Sequence, residues 1–279
     1  MTDAPILVTG ATGRTGGAVV DALRGKAPIR AASRGATPIE GVRAVRLDYA
    51  DPSTHAPALD GVRRVFVLAP PGVPRGQLAA FLDAALAAGV ERVVLQSVRG
   101  AEKSRVLPHR RMEDAVRERF GAWTMLRPAD YMQNLADVHR TAIGRDGEIA
   151  VPAGTGRSPF VDVADVGAIG ALALTEEGHE GRGYALTGPD DLTFGEVAVT
   201  LSDVLDRPIR YRSPSVPRFV WEQVRRYDRP LPMALVMSAL YTTQRLGRAG
   251  GVTGEVRRLL GRPATPLREF AERERGVWA

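Results

Sequence analysis

The 279-residue sequence contains no cysteine, which excludes disulfides, thiolate metal sites and a cysteine nucleophile. Histidine is scarce: His55, His109, His139 and His179 are the full set, and no two are close enough to make a local ligand pair. Glu176-x-x-His179 has a metal-like spacing, but it runs into Gly178 and Gly181 and reads as a loop, so no metal is expected. Lysine is rarer still, with Lys26 and Lys103 the only two among 38 basic residues. No apolar run approaches the roughly 18 residues of a membrane span, and no basic segment followed by an apolar core opens the chain. The expected setting is the cytoplasm, with no membrane association.

What is present is ordinary for a globular chain: 44% hydrophobic and 25% charged residues. The length suits one large domain or two, with ample core and no need for staples. The net charge of +6 comes from arginines scattered among acids rather than from one concentrated patch, so nucleic acid is not an expected partner. The excess of arginine, alanine and glycine fits a biased coding sequence.

Strands alternate with helices through the first half. Short apolar runs at 5–9, 28–33, 42–47, 64–68, 91–97 and 123–126 read as strands. Between them, Gly17 to Leu23, the stretch around Leu78, Phe81, Leu82 and Leu86, and about 108–119 read as helices, with Gly89 as a C-terminal cap. That rhythm predicts an α/β fold with a doubly wound parallel sheet. Beyond Pro128 it breaks. A helix is expected at about 163–174, and Thr193 with Glu196 matches a capping box before a helix over 194–205. Residues 214–247 carry Phe219, Trp221, Tyr227 and Tyr241 on helical stretches, either as core packing or as the wall of a substrate pocket.

Gly10, Gly13 and Gly16 lie between the first strand and first helix, spaced Gly-x-x-Gly-x-x-Gly. In that context one glycine permits a tight turn, another lets backbone approach a pyrophosphate, and the third lets helix pack on strand. The helix N-terminus offers amides and positive dipole to the phosphates, and Thr12, Arg14 and Thr15 can add donors. At the end of the second strand Ser33 and Arg34 replace the acidic residue of an NAD site. Arginine there suits a 2′-phosphate, so NADP(H) is the expected cofactor. Asp48 and Tyr49 are candidates for the adenine, Asp48 as an acceptor and Tyr49 as a stacking ring. Ala69-Pro70-Pro71 and Ser97-Val98 end the next two strands and should border the cofactor.

These residues resemble the NmrA-like, atypical short-chain dehydrogenase/reductase family. The likeness runs from Val8-Thr-Gly-Ala-Thr-Gly-Arg-Thr-Gly16 through Leu47–Asp51, Val94–Ser97, Trp123–Pro128, Tyr131–Asn134 and Phe160–Val166 to Leu260–Pro263 with Leu267–Phe270. Within the family it is most similar to the type 2 quinone oxidoreductases and the ergot-alkaloid reductase group. The resemblance implies an NADP-binding Rossmann domain over 1–150, with 160–176 packing back on it. It also implies a smaller, mostly helical domain over 151–279 that closes a substrate cleft. The same family includes a dinucleotide-binding regulator without turnover.

Ordinary short-chain dehydrogenases use Tyr-x-x-x-Lys, and no tyrosine here has a lysine four residues later. Three other residues are candidate proton donors. Ser97 ends the fifth strand. His109 shares a helix face with Glu113 and could donate near neutral pH. Tyr131, beside Gln133 and Asn134, follows the sixth strand. A cationic acceptor needs little acid help and a quinone can take its proton from water, so reduction does not require the missing pair. The foremost reading is an NADPH-dependent reductase of a small apolar or aromatic substrate, such as a quinone, enone or imine. An NADP-sensing regulator and a redox-neutral isomerase or epimerase are the alternatives, and the chain is expected as a monomer or homodimer.

Overall fold

The computed structural model describes residues 4–70, 72–104 and 107–279. Its elements run β1 (Ile6–Thr9), α1 (Arg14–Leu23), β2 (Ile29–Ser33), β3 (Arg43–Arg46), α2 (His55–Leu59), β4 (Arg64–Val67), α3 (Arg75–Ala87), β5 (Arg92–Gln96), α4 (Pro108–Arg117) and β6 (Ala122–Pro128). There follow α5 (Gln133–Ala136), α6 (Arg140–Asp146), β7 (Glu148–Ala150), β8 (Arg157–Ser158), α7 (Val163–Thr175), β9 (Arg182–Leu186), β10 (Leu192–Thr193) and α8 (Phe194–Leu205). The chain ends with β11 (Arg210–Arg212), α9 (Val216–Arg225), α10 (Leu231–Arg245), α11 (Glu255–Leu260) and α12 (Leu267–Arg273).

Two compact units are formed. The first takes residues up to Pro128, Val163–Leu186 and Glu255–Gly261; the second takes Ala129–Asp162, Thr187–Gly254 and Arg262–Ala279. The boundary expected at residue 150 lies instead at Pro128, with 129–150 in the second unit; of the two later segments in the first unit, Val163–Leu186 overlaps the expected 160–176, and Glu255–Gly261 is an addition. The cause is tertiary. Strand β9 has little apolar periodicity of its own, yet it pairs in parallel with β6 from Thr124↔Arg182 to Pro128↔Leu186 and completes the sheet.

The first unit is a seven-stranded sheet in the order β3-β2-β1-β4-β5-β6-β9, parallel at every pairing. The order reverses between β1 and β4, which opens a crevice at the carboxyl ends of those strands. Successive side chains serve opposite faces. Leu7, Val65, Val67, Val93 and Leu95 join Leu78, Phe81, Leu82 and Val116 of α3 and α4 in one buried layer. On the other face Gly170 of α7 brings that helix against Val19, Phe66 and Leu126. Helices α1 and α7 meet closely: a Cβ at Gly167 would lie 2.6 Å from the Ala18 carbonyl carbon.

The second unit is mostly helical, with β7 paired in parallel to β11 and β8 antiparallel to β10. Its core gathers Leu135, Ile149, Phe160, Phe194, Leu201, Phe219, Phe270 and Trp278. The capping box forms: Thr193 Oγ1 accepts from the Glu196 amide at 3.2 Å, and Glu196 Oε2 accepts from the Thr193 amide at 2.7 Å. Thr193→Ala should cost about 1 kcal/mol, read as a melting temperature lower by a few degrees. Helix α10 buries Ala234, Met237 and Ser238 and leaves Leu231, Met233, Leu235, Val236 and Leu240 exposed, so only one of its faces is core.

Candidate functional site

The glycine loop sits at the carboxyl end of β1, at the point where the strand order reverses. Gly10 has φ +63°, a left-handed conformation that favours glycine. Its carbonyl accepts from the Gly13 amide at 2.9 Å and closes the turn. Gly16 then packs so tightly under the loop that a Cβ would lie 2.2 Å from the Gly10 oxygen. Gly13 is the N-cap of α1, no side chain caps the helix, and its first turn holds no acid. Thr12, Gly13 and Arg14 are exposed, whereas Thr15 and Gly16 are buried. A backbone turn without Cβ bulk, at a helix N-terminus in the crevice, fits a dinucleotide pyrophosphate.

A second turn fixes Arg34. The Ser33 hydroxyl accepts from the Thr37 amide at 3.0 Å, and the Ala36 amide donates to the Ser33 carbonyl. Arg34 is left exposed, and no carboxylate pairs with it among the described residues. Asp48 is half-buried, with one carboxylate oxygen accepting from the Ala50 amide at 2.9 Å. Ala69 and Val98 are half-buried and Pro70 is exposed, while Pro71 lies outside the described residues.

Tyr49 departs from its expected role. Its ring is buried edge-on to Phe81 with centroids 5.2 Å apart. Its hydroxyl lies 3.1 Å from both Thr9 Oγ1 and the Leu68 carbonyl, and burial pushes its pKa up. Thr9 Oγ1 also accepts from the Leu68 amide at 2.8 Å. Tyr49 thus braces the ends of β1 and β4 instead of offering a face to adenine. The large apolar ring found more area to bury against α3 than a surface position provides.

Ser97 is also corrected. It is buried and its hydroxyl donates to Glu113 Oε1 at 2.7 Å. Glu113, on α4, is wholly buried. Arg127 donates to both of its oxygens at 2.8 Å, and Arg117 donates to Oε2 at 2.8 Å. Burial raises the Glu113 pKa, but the hydrogen bonds from Arg127 and Ser97 and the two guanidinium charges outweigh it and hold the carboxyl below its usual range. The Ser97 proton is committed to this cluster.

His109 is half-buried, and its Nδ1 makes no hydrogen bond among the described residues. Burial lowers its pKa against the opposing pull of Glu113. Glu113 spends its four contacts on Ser97, Arg117 and Arg127 rather than on His109. Tyr131 is half-buried in the second unit, in a β-bridge with Val161. Ser97 and His109 belong to the first unit, so the three candidates do not assemble into one cluster within either.

In the second unit, Met237, Leu240 and Tyr241 of the 214–247 stretch meet residues that the sequence did not single out. A cavity of about 150 Å³ is lined by Asp130, Asn134, His139, Phe160, Phe194 and Tyr241, among others. Asp130 is pushed up by burial, although Ser158 Oγ donates to it at 3.1 Å. His139 Nε2 lies 2.7 Å from the Tyr241 hydroxyl, and burial, with the Arg229 charge, takes the His139 pKa down to about 3. His139 and Tyr241 are 102 positions apart, and no local motif joins them. Tyr241 falling one turn after Met237 on an apolar helix was the one available signal. Among the described residues no group of three or more His, Asp or Glu side chains is placed to hold a metal.

The NmrA-like family profile matches residues 2–256. The chain belongs to the NmrA-like family. It is 34% identical to an NAD(P)H azoreductase of Xenophilus azovorans, over 96% of each chain. The triphenylmethane reductase of Citrobacter sp., solved with NADP(H), superposes with TM-score 0.83 at 29% identity, covering 97% of this chain and 99% of that one. The Escherichia coli quinone oxidoreductase QOR2, solved with NADPH, gives TM-score 0.85 at 26% identity, over 96% and 99%. No helix of this NmrA-like protein, among the described residues, is long and apolar enough to cross a membrane.

Proposed function

We propose that this NmrA-like protein is an NADPH-dependent reductase acting on a small apolar or aromatic acceptor, a quinone, an enone or an imine. The observation that carries the reading is the cradle made by Gly10, Gly13 and Gly16, where a Cβ on Gly16 would strike backbone. That close packing of α1 under the Gly10 turn leaves the exposed Thr12–Arg14 backbone at the helix N-terminus, where a dinucleotide pyrophosphate fits. The cofactor, when bound, supplies the hydride. Gly13, Arg14 and Thr15 hold its phosphates, and Arg34 pairs with the 2′-phosphate. Reductase relatives that take nicotinamide cofactors support the same chemistry. The acceptor class is supported by the aromatic lining of the cavity in the second unit. With no Tyr-x-x-x-Lys pair in the sequence, rate comes from positioning acceptors that need little activation.

The test is a titration with NADPH and NADH, followed by NADPH oxidation with a panel of quinones, enones and iminium ions. NADPH should bind more tightly than NADH and be oxidised by at least one class. Tight binding without oxidation by any would turn the reading toward a nucleotide sensor. Arg34→Ala should weaken NADPH by about ten- to a hundredfold, since a charged hydrogen bond is worth about 1.5–3 kcal/mol, and should leave NADH unchanged. A wild-type preference for NADH would remove Arg34 from the site.

A further inference from the structure

Strand β5 closes on Gln96, and Ser97 follows it. Successive side chains point to opposite faces of the sheet. Ser97 is turned to α4, where Glu113 holds it. Gln96 therefore faces α7, as does Arg92 of the same strand, which donates to the Ala173 carbonyl of that helix. The Gln96 amide oxygen is buried and makes no hydrogen bond among the described residues. Buried polar groups are nearly always paired, so this acceptor calls for a donor that the chain does not supply.

Its position in the sheet points to the donor. The pairings Val67↔Leu95 and Gln96↔Leu126 put Leu68 on one side of Gln96 and Leu126 on the other. Leu68 reaches the glycine loop, since a Cβ on Gly10 would lie 3.2 Å from its Cδ2. Leu126 packs toward α7, 3.5 Å from a Cβ built on Gly170. Gln96 thus stands at the carboxyl rim of β5, on the face that carries the loop. In the order β1-β4-β5 it lies two strand spacings from β1, roughly 10 Å. That is the reach of a ribose and a nicotinamide ring beyond a pyrophosphate seated on the loop. Gln96 is half-buried, so its side chain meets the rim where ligands of such sheets bind. Turning about its last torsion brings either end of the amide there. The nicotinamide carboxamide carries an N–H donor and a carbonyl acceptor, the complement of a glutamine amide.

We propose that Gln96 holds the carboxamide of the cofactor and so fixes the orientation of the nicotinamide ring. The proposal rests on the reading of the glycine loop as an NADP site. The carboxamide N–H donates to Gln96 Oε1, and Gln96 Nε2 donates to the carboxamide oxygen. A ring held in this way does not turn over on its glycosidic bond.

Three ligands, read by isothermal titration, separate this role from packing. NADPH carries the carboxamide. Its acetylpyridine analogue keeps the carbonyl but has a methyl in place of the amino group. 2′-Phospho-ADP-ribose has no nicotinamide. Gln96→Met keeps the bulk and loses the hydrogen bonds. It should bind NADPH about tenfold more weakly, the worth of one or two neutral hydrogen bonds, and bind 2′-phospho-ADP-ribose as the wild type does. The wild type should prefer NADPH to the acetylpyridine analogue, and Gln96→Met should lose that preference. Unchanged NADPH affinity in Gln96→Met would overturn the proposal and leave water as the partner of the amide. Equal losses on NADPH and 2′-phospho-ADP-ribose would overturn it too, making Gln96 a packing residue, as would equal wild-type affinities for NADPH and its analogue. A wild-type protein that binds neither NADPH nor 2′-phospho-ADP-ribose would bring down the NADP reading itself.

Discussion

Glu113→Ala should destabilise the protein by about 3 kcal/mol, the lower end of the cost of breaking a buried ion pair. The loss is large because three groups depend on one carboxylate. Ser97, Arg117 and Arg127 all donate to it at 2.7–2.8 Å. Among the described residues Arg127 then keeps only Glu102 at 3.5 Å as an ionic partner, beside a β9 backbone so close that a Cβ at Gly183 would lie 2.6 Å from its Nη1. Arg117 keeps Asp114 at 3.2 Å, which is why the lower end applies. The pH dependence has a definite sign. The folded Glu113 carboxyl titrates below its usual range, so its stabilisation is present above the ordinary glutamate pKa and fades as pH falls through the folded one. The wild-type and Glu113→Ala melting temperatures should differ by several degrees at neutral pH and converge in acid. Curves that stay parallel into acid would mean that the cluster is not ionised as described.

Gly16→Ala should remove most NADPH binding while Gly17→Ala leaves it intact. At Gly16 the new Cβ meets the Gly10 oxygen at 2.2 Å, the Gly10 carbon at 2.6 Å and the Ala11 nitrogen at 2.9 Å. All three are backbone, so relief comes only by moving the loop or the start of α1. Overpacking of this kind costs about 2 kcal/mol, and if the loop bears it, affinity falls roughly thirtyfold. One residue later a Cβ would meet only the Ala11 oxygen at 3.5 Å, an ordinary contact. There, removing a helical glycine should raise stability by about 0.5–1 kcal/mol. Isothermal titration with NADPH and a thermal melt of each variant check both halves. Equal affinity in both variants would mean that the Gly16 contact does not shape the phosphate site.

The sequence by itself determined the parallel sheet, the glycine loop, the place of Arg34 at the end of the second strand and the capping box at Thr193. Each is a local pattern: an apolar run, a spacing of three, a side chain that bonds its own backbone neighbours. Such patterns act over a few residues, so they can be read without knowing what packs on them. Tertiary structure decided where the units divide, because β9 is recruited by pairing with β6 and not by its own apolar pattern. It also decided the fate of the polar candidates. Tyr49 and Ser97 stand at strand ends, where ligands bind in such sheets, but burial against α3 and α4 gave one to the core and the other to Glu113. The same physics hid the meeting of Tyr241 and His139, though Tyr241 alone was legible as core or pocket wall. Their pairing spans 102 residues and exists only because the aromatic core around Phe194 closes the distance. Burial is a property of the folded neighbourhood, so which polar groups are sealed, paired or left facing a cavity is settled only once distant segments have met.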